Sequence, residues 1–366
     1  MIKLECEIEK IKNAIYQTER ITGKNLTLPV LGSILFIASG KSLKMRATNL
    51  SLGIEIEVPA KVEEEGTVAV SGSVLTGIFS NIFQKENVVL EEKDGNLLIK
   101  TKKSQIKLKC QPNEDFPTIP KVTGNKFEID SKKLIDGIKS VYYSSSVSDI
   151  KPEISSVYFY SKDDNLVFVS TDSFRLAEKK IKVKNIEEVP GILIPFKNVP
   201  EILRVFGEFG GEVEICFNKN QISFSSDNVY LTSRVIDGIF PDYPQIIPKE
   251  SKTDCVVLKQ DLLNALKLSN IFSDKFNQVN LTVKPKEKVF ELSSQNNEVG
   301  ENKTYLDGAL SGENVEVSFN YKYFVDCLQS INTDSVSIRF NQSSKPIVVS
   351  GVSDNSFIYL IMPMNR

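Results

Sequence analysis

Hydrophobic positions along the chain recur with two periods, and the two alternate. Three segments open alike: "IKLECEIEKIKNAIYQTERIT", "NKFEIDSKKLIDGIKSVYYSSS" and "DCVVLKQDLLNALKLSNIFSD" each pass from a short two-residue alternation into a three-to-four-residue one. The first period predicts a strand and the second an amphipathic helix. In the second segment Leu134, Ile135, Ile138, Val141 and Tyr142 share one helical face, and polar residues fill the other. A further unit of the same kind follows in each case: "GTVAVSGSVLTGIFSNIF", "GILIPFKNVPEILRVF" and "VEVSFNYKYFVDCLQSI". Six helices are therefore expected, over 8–20, 73–85, 131–142, 197–206, 259–270 and 320–330. Between them run alternating stretches broken by turn signals, such as "NVVLEEKDGNLLIK" around Asp94 and Gly95 and "EVEICFNKNQISFSS" around Asn218 to Asn220. These predict antiparallel hairpins.

The pattern amounts to a threefold repeat of about 120 residues with two helices and about eight strands each, far longer than a solenoid unit and large enough for its own core. Proline-rich connectors, "FPTIPKVTGNK" and "FPDYPQIIPKES", set boundaries near 122 and 250. The expectation is an α+β chain of three domains, 1–122, 123–250 and 251–366. One corner carries an unusual polar signature. In "LVFVSTDSFRLAEKK", Leu166 to Lys180, the alternation through Leu166, Phe168 and Ser170 is interrupted by Thr171, Asp172 and Ser173 and resumes through Leu176. A β-turn closed by Asp and Ser side chains accounts for those residue types.

Composition narrows the function. The chain has 366 residues, of which 41% are apolar and 25% charged, an ordinary globular balance. No apolar run approaches the ~18 residues of a membrane span, and the opening "MIKLECEIEKIKNAIYQ" alternates apolar with charged residues instead of showing a signal-peptide core. A cytoplasmic protein without a membrane partner is expected. The five cysteines are scattered and form no C-x-x-C pair, which suits small buried hydrophobes. There is no histidine, which removes Ser-His and Cys-His nucleophiles and His-ligated metals together. Neither a P-loop nor a G-x-G-x-x-G fingerprint occurs, and the 47 Asp and Glu residues form no compact cluster. No catalytic residue, metal or cofactor is expected. The six helical segments carry twelve Lys or Arg against six Asp or Glu, a balance of +6 in a chain whose net charge is −2. Gathered on one surface, they would offer diffuse positive charge to a phosphate backbone without reading its sequence. A solvated helix face rich in Lys and Arg gives the same count.

Six separated motifs then stand in an order that resembles the bacterial sliding clamp family, the beta subunit of DNA polymerase III. They are "TLPVLGSILF" (27–36), "ATNLSLGIEIEV" (47–58), "STDSFRLA" (170–177), "TSRVIDGIFPDYPQIIP" (232–248), "FNYKYFVDCL" (319–328) and "LIMPMNR" (360–366). The resemblance runs through nearly the whole chain. It implies three domains of the DNA clamp fold, with helices lining the inside and antiparallel sheets outside, and a head-to-tail homodimer forming a six-lobed ring. It also implies a non-catalytic processivity subunit that encircles double-stranded DNA. Through a peptide groove the ring would tether the polymerase III alpha subunit, other polymerases and the clamp-loader complex.

The residues that match the groove are Thr171, Arg175, Leu176, Pro241, Ile246, Met362, Pro363 and Met364, with Ile154 and Val169 as walls and Arg175 orienting the peptide. Ser173, Phe174 and Gln245 depart from the family, which often has Gly-His before the arginine and a basic residue where Gln245 stands. Phe174 is expected to make the groove more apolar and to change which peptides bind. By family position Lys10, Lys12, Arg20, Lys24, Lys133, Lys139, Lys197, Arg204, Lys267 and Lys275 face DNA. Ile106 and Leu108, on an edge strand of the first repeat, meet Ile271 and Phe272 of the partner subunit. Two other readings stay open: a monomeric scaffold built from the same repeats, and a magnesium-dependent enzyme hidden among the carboxylates.

Overall fold

The computed structural model describes residues 2–23, 28–83, 86–183 and 188–364. Among them are six α-helices: α1 (Ile8–Glu19), α2 (Gly72–Ser80), α3 (Ser131–Lys139), α4 (Val199–Gly207), α5 (Lys259–Ile271) and α6 (Tyr321–Leu328). Each falls on one of the six periodic segments. Eight strands lie within residues 1–122, eight within 123–250 and nine within 251–366, close to the eight per repeat that the alternation predicts. The strands earn their burial by the pleat: Gln278–Lys284 is buried at every second residue. In α1 the buried residues Ile8, Ile11, Ala14, Ile15 and Thr18 form one stripe, and no side chain caps the N-terminus. Packing of that stripe, not local propensity, holds the helix.

Contacts divide the chain into two compact units, Met1–Lys132 with Pro200–Val235, and Lys133–Val199 with Ile236–Arg366. The first is built on a twelve-stranded antiparallel sheet that has Gln105–Lys109 as one end strand and Asn125–Asp130 as another. The second holds a nine-stranded sheet and a four-stranded one, the latter ending at Gly300–Tyr305.

The units do not follow the sequence repeats, because the sheets run across the repeat junctions. In the first unit Leu52–Glu64 pairs with Val229–Arg234, Leu52 opposite Ser233. In the second, Arg175–Lys182 pairs with Phe357–Ile361, Arg175 opposite Ile361. Helices knit the same junctions. Arg204 on α4 donates to the Gln17 carbonyl of α1 at 2.9 Å, and Ser330, just beyond α6, donates to the Ser140 carbonyl just beyond α3 at 3.1 Å. Within the second unit, Gly137 of α3 lies so close to Phe168 that a Cβ there would stand 2.3 Å from the ring. Only glycine lets the helix settle on that aromatic.

Candidate functional site

The polar corner is a hairpin turn between the strands Asn165–Thr171 and Arg175–Lys182. Asp172 Oδ1 accepts from the backbone N–H groups of Phe174 (2.9 Å) and Arg175 (3.0 Å). Thr171 Oγ1 donates to the Arg175 carbonyl (2.6 Å) and accepts the Ser173 N–H (3.1 Å). Ser173 takes φ 78°, uncommon outside glycine, and these side-chain bonds hold it there. The Arg175 guanidinium has three partners. Its Nε meets Asp172 at 2.9 Å, its Nη1 meets Asp326 of α6 at 2.5 Å, and it lies 4.7 Å from the centre of the Tyr323 ring. Burial works against its charge, but Tyr359, Asp172 and Asp326 hold its pKa above the usual arginine range. In this structure the guanidinium pins the corner to α6 while Arg175 also lines the cavity described below.

Two other segments close around the corner. The Met362 N–H donates to the Phe174 carbonyl at 2.8 Å, extending the strand pairing by one bond. The connector after Phe240 is locked by Tyr243, whose hydroxyl bonds Tyr160 at 2.8 Å and the Glu178 carboxylate. Burial first, and then Glu178, raises the Tyr243 pKa, so the phenol stays protonated as a donor. Phe240 stacks on Tyr158 with ring centres 4.8 Å apart. Val167, Val169, Leu176, Leu193 and Leu360 form the floor of buried residues beneath these rings.

The result is a cavity of about 150 Å³. Seven expected residues line it: Ile154, Thr171, Arg175, Leu176, Pro241, Ile246 and Met362. Phe174, Gln245, Pro363 and Met364 do not. Phe174 is 62% exposed, so it does not make the cavity more apolar; Gln245 bonds Asp242; and the Met364 N–H donates to the Ser318 carbonyl at 2.8 Å. Val169 belongs to the buried floor and does not line the cavity. Sequence reasoning missed Ser173, Asp242, Tyr243, Pro346 and Leu360. Tyr243, an aromatic between two prolines, was the readable signal among these. Leucine, isoleucine and methionine around a 51% exposed Ile246 make a slot for a large apolar side chain.

Among the described residues no group of three or more His, Cys, Asp or Glu could hold a metal. Burial pushes the Cys6 and Cys255 thiols up to about 12 and Cys327 well above its ordinary value, which leaves them inert as nucleophiles.

The expected DNA-facing residues differ in how far their charge is free. Arg204 is bound to Glu201 (2.7 Å) and Gln17, and Arg20 reaches the same Glu201 at 3.5 Å. Arg204 thus joins α4 to α1 in this structure. Lys10 pairs with Glu7 at 3.0 Å and Lys197 with Asp149. Lys133 donates to the Lys182 carbonyl at 3.4 Å. Lys12 and Lys275 stand 5.9 and 5.1 Å from the rings of Phe83 and Phe276. Lys139 and Lys267 make no ion pair among the described residues, and Lys24 lies outside those residues.

Ile106 and Leu108 lie half-buried on Gln105–Lys109, an end strand of the twelve-stranded sheet. Ile271, at the end of α5, is 60% exposed. Phe272 is half-buried, its ring 3.7 Å from where a Cβ on Gly300 would stand, at the edge strand of the four-stranded sheet.

Three family models match the chain in succession: the N-terminal domain of the DNA polymerase III beta subunit over residues 2–120, its central domain over 128–242 and its C-terminal domain over 244–365. The beta sliding clamp of Synechococcus elongatus is 26% identical, with 99% of each chain covered. That of Staphylococcus epidermidis is 25% identical over 100% of this chain and 99% of its own. The crystal structure of the DNA polymerase III beta subunit from Thermotoga maritima superposes with a TM-score of 0.94 at 24% identity, covering both chains completely.

Proposed function

Because the chain belongs to the DNA polymerase III beta subunit family, whose members are sliding clamps and non-catalytic processivity subunits, we propose that two copies close head to tail into a ring around duplex DNA. Three domains bounded near residues 122 and 250 supply three lobes per chain. The edge strands Gln105–Lys109 and Gly300–Tyr305, with Ile106 and Leu108 against Ile271 and Phe272 of the partner subunit, make the closing contact. A head-to-tail contact whose rotation returns to the start after two subunits closes into a ring instead of growing into a fibre, and pairing covers both exposed edges. A ring retains DNA by topology, so it needs only diffuse attraction that does not stop sliding. Lys12, Lys139, Lys267 and Lys275, which make no ion pair among the described residues, supply it.

The cavity beside Leu176 and Met362 takes apolar side chains of extended peptides from the polymerase III alpha subunit, other polymerases and the clamp loader, in the cytoplasm. The observation that carries this reading is the assembly of one apolar slot from three segments widely separated in sequence, residues 154–176, 241–246 and 346–362. The test is retention on DNA. Loaded protein should stay on nicked circular DNA, leave when the circle is linearised, and sediment as a dimer. A monomer that leaves both DNAs alike supports the scaffold reading instead, and turnover of a nucleotide substrate supports the enzyme.

A further inference from the structure

The junction of the first two repeats reproduces the corner, connector and final strand of the groove position for position. Thr48 Oγ1 donates to the Leu52 carbonyl (2.9 Å) and accepts the Leu50 N–H (3.0 Å), as Thr171 does with Arg175 and Ser173. Asn49 Oδ1 accepts the N–H groups of Ser51 (3.0 Å) and Leu52 (2.8 Å), the part played by Asp172. Leu50 has φ 74° where Ser173 has 78°. The Arg234 N–H donates to the Ser51 carbonyl at 2.8 Å, the counterpart of Met362 on Phe174. The connector "FPTIP" puts buried Ile119 where "FPDYP" puts Tyr243. These residues enclose a cavity of about 240 Å³ within the first unit.

Two differences tell what it would hold. Gly53 stands in the place of Leu176, and a Cβ there would come within 3.1 Å of Ile119; glycine keeps the floor open. The electrostatics also differ. Arg175 is neutralised by Asp172 and Asp326, whereas among the described residues the lining of this cavity carries one charged side chain, Arg234, and no carboxylate. Arg234 is exposed and makes no ion pair among the described residues. Beside it Leu50, a bulky residue in a left-handed conformation, is 42% exposed, an arrangement that costs free energy and offers an apolar surface.

We propose that this cavity is a second peptide groove, which takes a short, extended, acidic segment, with one aliphatic side chain against Leu50, Leu52 and Ile119 and a carboxylate on Arg234. The inference rests on the peptide-groove reading of its counterpart. The test uses fluorescence anisotropy on the full chain with a labelled Asp-Asp-Leu-Asp-Asp peptide and, separately, a labelled polymerase-tail peptide. The acidic peptide should bind saturably and lose about tenfold or more in affinity in Arg234→Glu and in Leu50→Asn, a change that suits the left-handed φ and so preserves the turn. Ile246→Asp should leave it unaffected while abolishing binding of the tail peptide. Three results overturn the proposal: no saturable binding of the acidic peptide, competition between the two peptides, or a loss confined to Arg234→Glu, which would reduce the site to a charge patch. Tail-peptide affinity unmoved by Ile246→Asp would instead sink the reading of the first groove.

Discussion

Removing the Arg175 guanidinium should loosen the groove without touching a ligand. In Arg175→Ala, Asp172 and Asp326 lose their shared cation and Tyr323 its cation–π partner. Stripping one partner from a buried pair costs about 3–5 kcal/mol. Here the Asp172 side chain is 17% and that of Asp326 36% exposed, so water recovers part of the loss, and about 2–3 kcal/mol is expected. At about 2–4 °C per kcal/mol for a unit of this size, melting should fall by roughly 5–10 °C. Scanning calorimetry is the assay, since a chain of two units need not melt in one step. Arg175→Lys keeps the charge but not the two-pronged geometry, and should fall between. A double-mutant cycle with Asp326→Asn should return a coupling of about 1–2 kcal/mol. Peptide affinity should drop in Arg175→Ala and Asp326→Asn alike, because both free the same corner. The reasoning fails if Arg175→Ala melts like the parent yet binds peptide tenfold more weakly while Asp326→Asn binds normally; the guanidinium would then touch the ligand itself.

Other outcomes follow from the same geometry. Ile271→Asp, on an exposed position, should yield folded monomers in sedimentation at micromolar concentration, and an unchanged dimer would misplace the closing contact. Replacing Lys12, Lys139, Lys267 and Lys275 together with Gln should shorten retention on circular DNA and flatten its salt dependence by about 0.9 in log–log slope for each phosphate no longer neutralised, whereas Arg204→Ala should act mainly on stability by freeing Glu201 and the end of α1. Burial opposes the Glu55 carboxylate, but Arg46 at 2.5 Å and Lys121 at 3.3 Å hold its pKa below the ordinary 4.5. Its contribution to stability is therefore complete above that value and lost as pH falls through the lowered one, so Glu55→Gln should flatten the acid limb of a melting-temperature profile; an unchanged limb would deny Glu55 that role.

How much of this the sequence disclosed depends on the range of the interaction. The helices were legible because their periodicity is local: α1 begins and ends within a residue of the 8–20 stripe, and α5 of 259–270. The corner was legible as a turn, since Thr171 and Asp172 bond backbone groups two to four residues away. The pairings Leu52–Ser233 and Arg175–Ile361 left no local trace, and they are what make the compact units cut across the repeats. The commitment of Arg175 was hidden for the same reason, because Asp326 is 151 residues distant. The second cavity was readable but unread: "TNLSLG" and "TDSFRL" share Thr, an amide or carboxylate, and a free middle, and both precede an F-P-x-x-P connector.

The hydrogen-bonded seams between repeats also impose a schedule on synthesis. Leu52–Glu64 leaves the ribosome long before Val229–Arg234, and Arg175–Lys182 long before Phe357–Ile361. At about 5–20 residues per second, each edge waits on the order of ten seconds or more for its partner. An unpaired edge invites the wrong neighbour, and charged side chains deter it. Arg175–Lys182 carries Glu178, Lys179, Lys180 and Lys182, and in the finished fold Glu178 and Lys179 are buried, Lys179 held by Asp136 at 3.2 Å. Two buried charges in a strand are hard to justify by the stability of the folded state. As guards on a nascent edge they have a purpose, and the salt bridge with Asp136 and the bond from Tyr243 to Glu178 are the means by which the completed chain accommodates them.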